Sequence, residues 1–203
     1  MTTTLVIARH GNTFDPGDVI RRVGAHTDLP LSESGRQQAA NLGKTLAAHK
    51  LIPDIVFAAP LLRTKQTAEL ALAAVSCSAA LQLQPQLTEI DYGPDEGKPE
   101  TDVIARLGEK ALRDWEEKHI VPNGWRIDPA ALENMWEALA MRIRTDYADK
   151  TVLCVTSNGI ARFALNLAAD SAEQNTPKLA TSAYGVLKSV ANGWRIESWN
   201  VRP

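Results

Sequence analysis

Arg9 and His10 stand where a short apolar run ends. Arg63 follows a second such run, Ile55–Ala58, and Ser157-Asn158 follows a third, Thr151–Thr156. These are side chains with distinct chemistry. Guanidinium groups stay charged and can grip an oxyanion with two parallel N–H bonds, imidazole changes charge near neutrality, and an amide both donates and accepts. If the three runs are strands of one open α/β sheet, their carboxyl ends form a common rim, which is where ligands bind in such sheets. Helices starting there add free N–H donors and partial positive charge. Such a rim suits an anion, phosphate in particular. Taken singly, each residue also has a plainer reading: Arg9 and His10 as solvated loop residues, Asn158 as an ordinary N-cap, Arg63 as a solvated helix residue. The combination carries the functional reading.

The elements that must position these groups can be read from the pattern. Thr3–Ala8, Ile55–Ala58 and Thr151–Thr156 read as buried strands. Ser34–His49 reads as a helix with Ala39, Leu42 and Leu46 on one face, and a second helix begins near Pro60 and runs to about Val75. A third follows the Thr151–Thr156 strand from Ile160 to Ala169. Ala183–Val190 and Trp194–Trp199 read as strands joined by an Asn192-Gly193 turn. The alternation predicts an α/β fold: a three-layer α/β/α sandwich with a mostly parallel central sheet. Between Leu87 and Asp128 the chain turns polar and rich in turn residues, with helical periodicity at Asp102–Lys118 and again at Ala130–Tyr147. The stretch from about 93 to 128 is expected to be a lid inserted into a single domain spanning 1–203. Trp115 and Trp125 either line that lid or pack in the core.

Composition narrows the function classes. The chain has 203 residues, 44% hydrophobic and 23% charged, which is ordinary globular usage. A net charge of -2 provides no general field for nucleic acid or anionic membrane. No apolar run approaches the roughly 20 residues of a membrane span, and Met1–Arg9 lacks the basic region of a secretory signal. Cys77 and Cys154 make neither a disulfide framework nor a zinc spacing, so reduced thiols in the cytoplasm are expected.

Four blocks in order carry a resemblance. Arg9-His10-Gly11-Asn12-Thr13 resembles the Arg-His-Gly signature of the histidine phosphatase superfamily, also called the phosphoglycerate mutase-like family. Gly24–Gln37, Ala59–Ala68 and Leu87–Gly93, the last closing at Glu96-Gly97, are similar to that family's following blocks. The resemblance implies a phosphomonoester hydrolase acting on a small phosphorylated metabolite through a phosphohistidine. It makes His10 the nucleophile, Glu89 the proton donor and later the base, and Arg9, Arg63, Asn12 and Asn158 the phosphate-binding residues. No metal or cofactor is implied. Neutral His10 must donate its other ring N–H to a fixed acceptor. Glu89 also reads as a solvated loop acid. Arg22 and His26 are candidate rim contacts, Arg21 another, though each also reads as solvated.

The sequence departs from the family pattern at one chemically important place. Asn158 stands where the family usually has a second histidine. A neutral hydrogen bond contributes about 1 kcal/mol and a charged one roughly 1.5–3, so the replacement predicts about a ten- to thirtyfold slower reaction, or about a hundredfold if the cation acts mainly on the transition state. Pro16 replaces an asparagine often found there, and a Gly-Glu-Ser block is missing around Gly124–Asp128. Two further readings stand beside a phosphatase: a phosphate-ester binding protein whose catalysis has decayed, and a phosphoglycerate-type mutase, ranked lower because the chain is compact.

Overall fold

A computed structural model describes residues 2–168 and 177–203. In chain order the elements are β1 (Thr4–Arg9), α1 (Glu33–Ala48), β2 (Ile55–Ala58), α2 (Leu62–Ala73), β3 (Leu81–Leu83), α3 (Glu100–Leu107), α4 (Glu109–Lys118), α5 (Pro129–Asp146), β4 (Thr151–Thr156), α6 (Asn158–Ala161), β5 (Tyr184–Val190) and β6 (Gly193–Val201). Short 3-10 turns occupy Pro85–Leu87, Gly93–Asp95 and Arg162–Leu167. The sheet order is β3-β2-β4-β1-β5-β6. β3, β2, β4 and β1 run parallel, and β5 and β6 add an antiparallel edge.

The period-2 pleat explains the three layers. Along β1, Leu5 and Ile7 face one side with Trp136, Leu139 and Ile143 of α5, whereas Val6 and Ala8 face the other with Leu42 of α1 and Ala68 of α2. Both faces of the central strands are covered, so these strands read as continuous apolar runs rather than alternating ones.

Helix starts are fixed by polar side chains. Ser32 caps α1, its Oγ accepting from Gly35 N at 3.2 Å, and Asp15 backs that cap by accepting from Ser32 Oγ at 2.9 Å. Asp28 accepts from Leu62 N at 2.6 Å and closes the start of α2. Asp128 accepts from Ala130 N and Ala131 N ahead of α5, with Pro129 in the first turn.

Several boundaries differ from the sequence reading. After β4 the α-helical turn lasts only from Asn158 to Ala161 before tightening to a 3-10 helix. The buried Trp136 indole donates to Ile160 O at 2.8 Å and engages the carbonyl that would start the next α-helical bond. The expected end of that helix, Ala169, lies outside the described residues. The β5–β6 hairpin pairs Val190 with Gly193, so its two loop residues are Ala191 and Asn192, one position earlier than expected. β3 was not expected. The predicted Asp102–Lys118 helix is two helices, α3 and α4, broken at Gly108, whose φ of 79° interrupts the pattern. No helix among the described residues is long and apolar enough to cross a membrane.

Candidate active site

Parallel pairing of β1 with β4 sets Arg9 beside Thr156 and so places the two strand ends together. His10 continues this register, its N–H donating to Thr156 O at 3.0 Å while its carbonyl accepts from Ser182 N at 3.1 Å. The backbone here is too close to its surroundings for side chains: a Cβ on Gly11 would collide with the Gly35 carbonyl, and one on Gly35 with that of Asn12. Glycine is therefore required at both positions to seat the start of α1 behind the histidine.

His10 is only 7% exposed. Its Nδ1 lies 2.7 Å from the Gly11 carbonyl, which can only accept, so Nδ1 carries the proton and Nε2 the lone pair. Burial, then the charges of Arg63 and Arg9, hold its pKa well below 6.5. The imidazole is thus neutral at physiological pH and in one tautomer. Arg9 donates through Nη1 to Leu179 O at 2.9 Å. Arg63, with 0% exposure, donates to Thr27 O at 2.8 Å and Gly24 O at 3.1 Å. Among the described residues neither arginine forms an ion pair, and the Nε of each is buried with no partner. Burial lowers both pKa values against the pull of Glu89.

Glu89 comes from the loop after the Pro85–Leu87 turn. Thr156 Oγ1 fastens that loop to β4 by donating to Leu87 O at 2.6 Å. The carboxylate accepts from Ile90 N at 2.9 Å and from Gly159 N at 3.4 Å. A Cβ at 159 would collide with Glu89 Oε1, so glycine at the start of α6 is what admits the carboxylate. Burial raises the Glu89 pKa above 4.5, against the hydrogen bonds and the arginines. A protonatable acid and a neutral imidazole are therefore held at one strand rim, the pairing of perturbed groups expected of acid–base and nucleophilic chemistry.

A cleft of about 590 Å³ opens above these groups, and Arg9, His10, Asn12, Arg22, Glu89 and Asn158 line it. Arg63 is not on its wall but lies beneath it. Asn158 Oδ1 accepts from Leu179 N at 2.9 Å, which leaves its amide N–H groups as donors. Asn12 spends its amide N–H on Ser34 Oγ at 3.2 Å. Arg22 pairs with Glu100 and stacks 5.1 Å from the Tyr92 ring. His26 is not brought to the cleft: it is exposed, its backbone N–H donating to Glu96 Oε1 and its Nε2 lying 3.4 Å from Asp91 Oδ2, both outside the cleft. His26, Asp91 and Glu96 bring potential metal-ligand atoms within 4.8 Å of one another outside the cleft, but Arg126 already sits 3.4 Å from Asp91.

Trp115 and Trp125 are both core residues, at 4% and 6% exposure, and Trp115 also reaches the cleft wall. The segment expected as a lid supplies Glu100, Trp115 and Glu116 to that wall. Sequence reasoning missed Arg162, which lines the same cleft. Its signal was its position four residues after Asn158, the spacing of neighbours on one helix face.

A 2,3-bisphosphoglycerate-dependent phosphoglycerate mutase from Bifidobacterium longum is 32% identical over 130 residues, 64% of this chain and 52% of that protein. Another from Rhizobium meliloti is 33% identical over 60% of this chain and 57% of its own. The chain spans about half the length of these curated relatives. Among solved structures, a mycobacterial glucosyl-3-phosphoglycerate phosphatase superposes with a TM-score of 0.78 at 20% identity, covering 98% of this chain and 99% of that one. A phosphoserine phosphatase from Entamoeba histolytica gives a TM-score of 0.75 at 20% identity, covering 98% and 97%. At such identities the likeness is one of fold. A sequence model of the histidine phosphatase superfamily (branch 1) matches residues 5–202, and the chain belongs to that superfamily.

Proposed function

We propose that the protein is a phosphomonoesterase that works through a phosphohistidine at His10 and needs no metal. The observation that carries this is His10 itself: a buried imidazole, neutral, with Nδ1–H fixed on the Gly11 carbonyl and beside it buried Arg63 and half-buried Arg9, neither in an ion pair among the described residues. Nε2 attacks phosphorus, the bond to the ester oxygen breaks, and the Glu89 proton goes to that oxygen. Water then attacks phosphorus, Glu89 takes its proton, the P–N bond breaks, and phosphate leaves with His10 neutral again. Arg9 holds the phosphoryl oxygens. Arg63 supplies positive potential from beneath, which is where a reaction made largely of positioning and charge stabilisation needs it. Asn12 and Asn158 border the phosphoryl position, with the Asn158 amide donating to it.

The segment from about 93 to 128 acts as the cap that selects the ester, within one domain of 1–203. A small phosphorylated metabolite is the substrate class the cleft volume favours. Unpaired Cys77 and Cys154 fit a reducing compartment such as the cytoplasm.

The test is to mix the protein with a phosphate-labelled monoester and quench within a turnover. An acid-labile, base-stable label on protein is expected, absent from His10→Ala. Saturable ester binding with no label and no turnover would favour the decayed-enzyme reading that Asn158 raises. Transfer of label to a second ester rather than to water would favour a mutase.

A further inference from the structure

The cleft wall carries acidic side chains, Asp15, Asp18, Glu89, Glu100 and Glu116, beside its basic ones, so a cation there without an ion pair stands out. Beyond Arg9, the wall carries Arg21, Arg22, Arg162 and Lys178. Arg22 is neutralised by Glu100, and Lys178 lies 3.2 Å from Glu116 Oε1. Arg21 is exposed and solvated, with Nη1 on Gly97 O. Arg162 differs from all three. It is 3% exposed, and among the described residues it forms no ion pair. Its Nη2 donates to the Glu116 backbone carbonyl, its guanidinium sits 5.3 Å from the Trp115 ring, and its Nε is buried with no partner. The carbonyl, the aromatic face and the charges of Glu116 and Glu89, neither of them in ion-pair contact, compensate this buried cation only in part, since burial still lowers its pKa.

Arg162 shares the cleft with the phosphoryl site and feels the charge of Glu89, but it is not among the cations that act on His10. The phosphoryl cations Arg63 and Arg9 are the charges that act on His10, whereas Arg162 sits against Trp115 and Glu116 of α4. The geometry points to Arg162 as a specificity-determining residue that binds a second anionic group on the substrate's leaving portion. The substrate class is then a phosphomonoester that also carries a carboxylate or a second phosphate. This rests on the proposed phosphomonoesterase reaction.

The experiment compares matched esters. 3-Phosphoglycerate and glycerol 3-phosphate differ by a carboxylate, and fructose 1,6-bisphosphate and fructose 6-phosphate by a phosphate. The ratio of kcat/KM within each pair is measured for wild type, Arg162→Met and Arg162→Lys. At least one ratio in wild type is expected to exceed about ten, as a charge-assisted hydrogen bond implies, and the favoured pair tells carboxylate from phosphate. Arg162→Met should bring that ratio to within about threefold of one, and Arg162→Lys should retain part of it. Ratios near one in wild type, or a ratio unmoved by Arg162→Met, would overturn the proposal. The same pairs titrated calorimetrically into His10→Ala and His10→Ala/Arg162→Met read the preference without turnover. Absent hydrolysis would thus count against the reaction, while equal affinities would count against the anion subsite.

Discussion

In the proposed reaction Asn158 is the residue that limits the rate. Its Oδ1 is held by Leu179 N, so it offers a neutral donor where an imidazolium would offer a charged one. Asn158→His is expected to raise kcat/KM about ten- to thirtyfold, the difference between a neutral and a charged hydrogen bond. Steady-state hydrolysis by both proteins checks this. Gly159 matters through Glu89: Gly159→Ala should displace the carboxylate and lower kcat far more than it lowers thermal stability. The pH profile follows from the two shifted groups. His10 must be neutral, and its pKa is held well below 6.5, so activity should not fall between pH 7 and 6 as it would with an unperturbed histidine. Glu89 must be protonated to release the ester oxygen, so kcat/KM should decline as pH rises through its raised pKa, above 4.5. Glu89→Gln should erase that alkaline limb. At this scale the sequence was informative about residue type and poor about depth. Arg63 and Arg9 read alike in the chain, yet one lies beneath the cleft and the other on its wall. His26 is near the rim in sequence only, and Arg162 became visible as a site residue only once its burial was known.

The elements act as positioning devices, and Trp136 of α5 is the clearest case. Its indole fixes Ile160 O and with it the turn that presents Asn158 and Gly159. Trp136→Phe leaves a buried carbonyl short of a donor and should cost about 1–3 kcal/mol, read by denaturant unfolding, together with a lower kcat. β1, β2 and β4 were legible because strands covered on both faces are apolar throughout. β3 was not, because Leu81-Gln82-Leu83 is a three-residue edge whose side chains are half-buried or exposed and carry little pattern. The 3-10 stretch after β4 was read as α-helix because its residues have helical periodicity, while a tertiary hydrogen bond from α5 changes its winding.

Across the whole molecule, burying His10, Arg63 and Glu89 beside half-buried Arg9 works against stability and in favour of anion binding. The native state disfavours the charged form of His10. That part of the stability is present above pH 6.5 and is lost as pH falls towards the lower folded value, because the unfolded chain takes up the proton first. His10→Asn should flatten that decline. An anion that compensates the arginines should stabilise the fold: inorganic phosphate at about 100 times its Kd is expected to add about 2.7 kcal/mol, or roughly 5–10 °C in Tm for a chain of this size, and Arg9→Met should remove most of the gain. The sheet's overall layout was readable because alternating apolar runs and helices leave few topologies. The segment from about 93 to 128 was not, because α3 and α4 are broken at Gly108 and its fold depends on Trp115 and Trp125 reaching the core.

The most direct measurement is phosphate release from a panel of phosphomonoesters, in excess chelator, by wild type and His10→Ala side by side. Release by wild type is expected to survive chelation and to fall at least about a thousandfold in His10→Ala, as removal of a covalent nucleophile does. Equal release by both proteins, or release that disappears with chelator, would contradict a metal-independent phosphohistidine at His10.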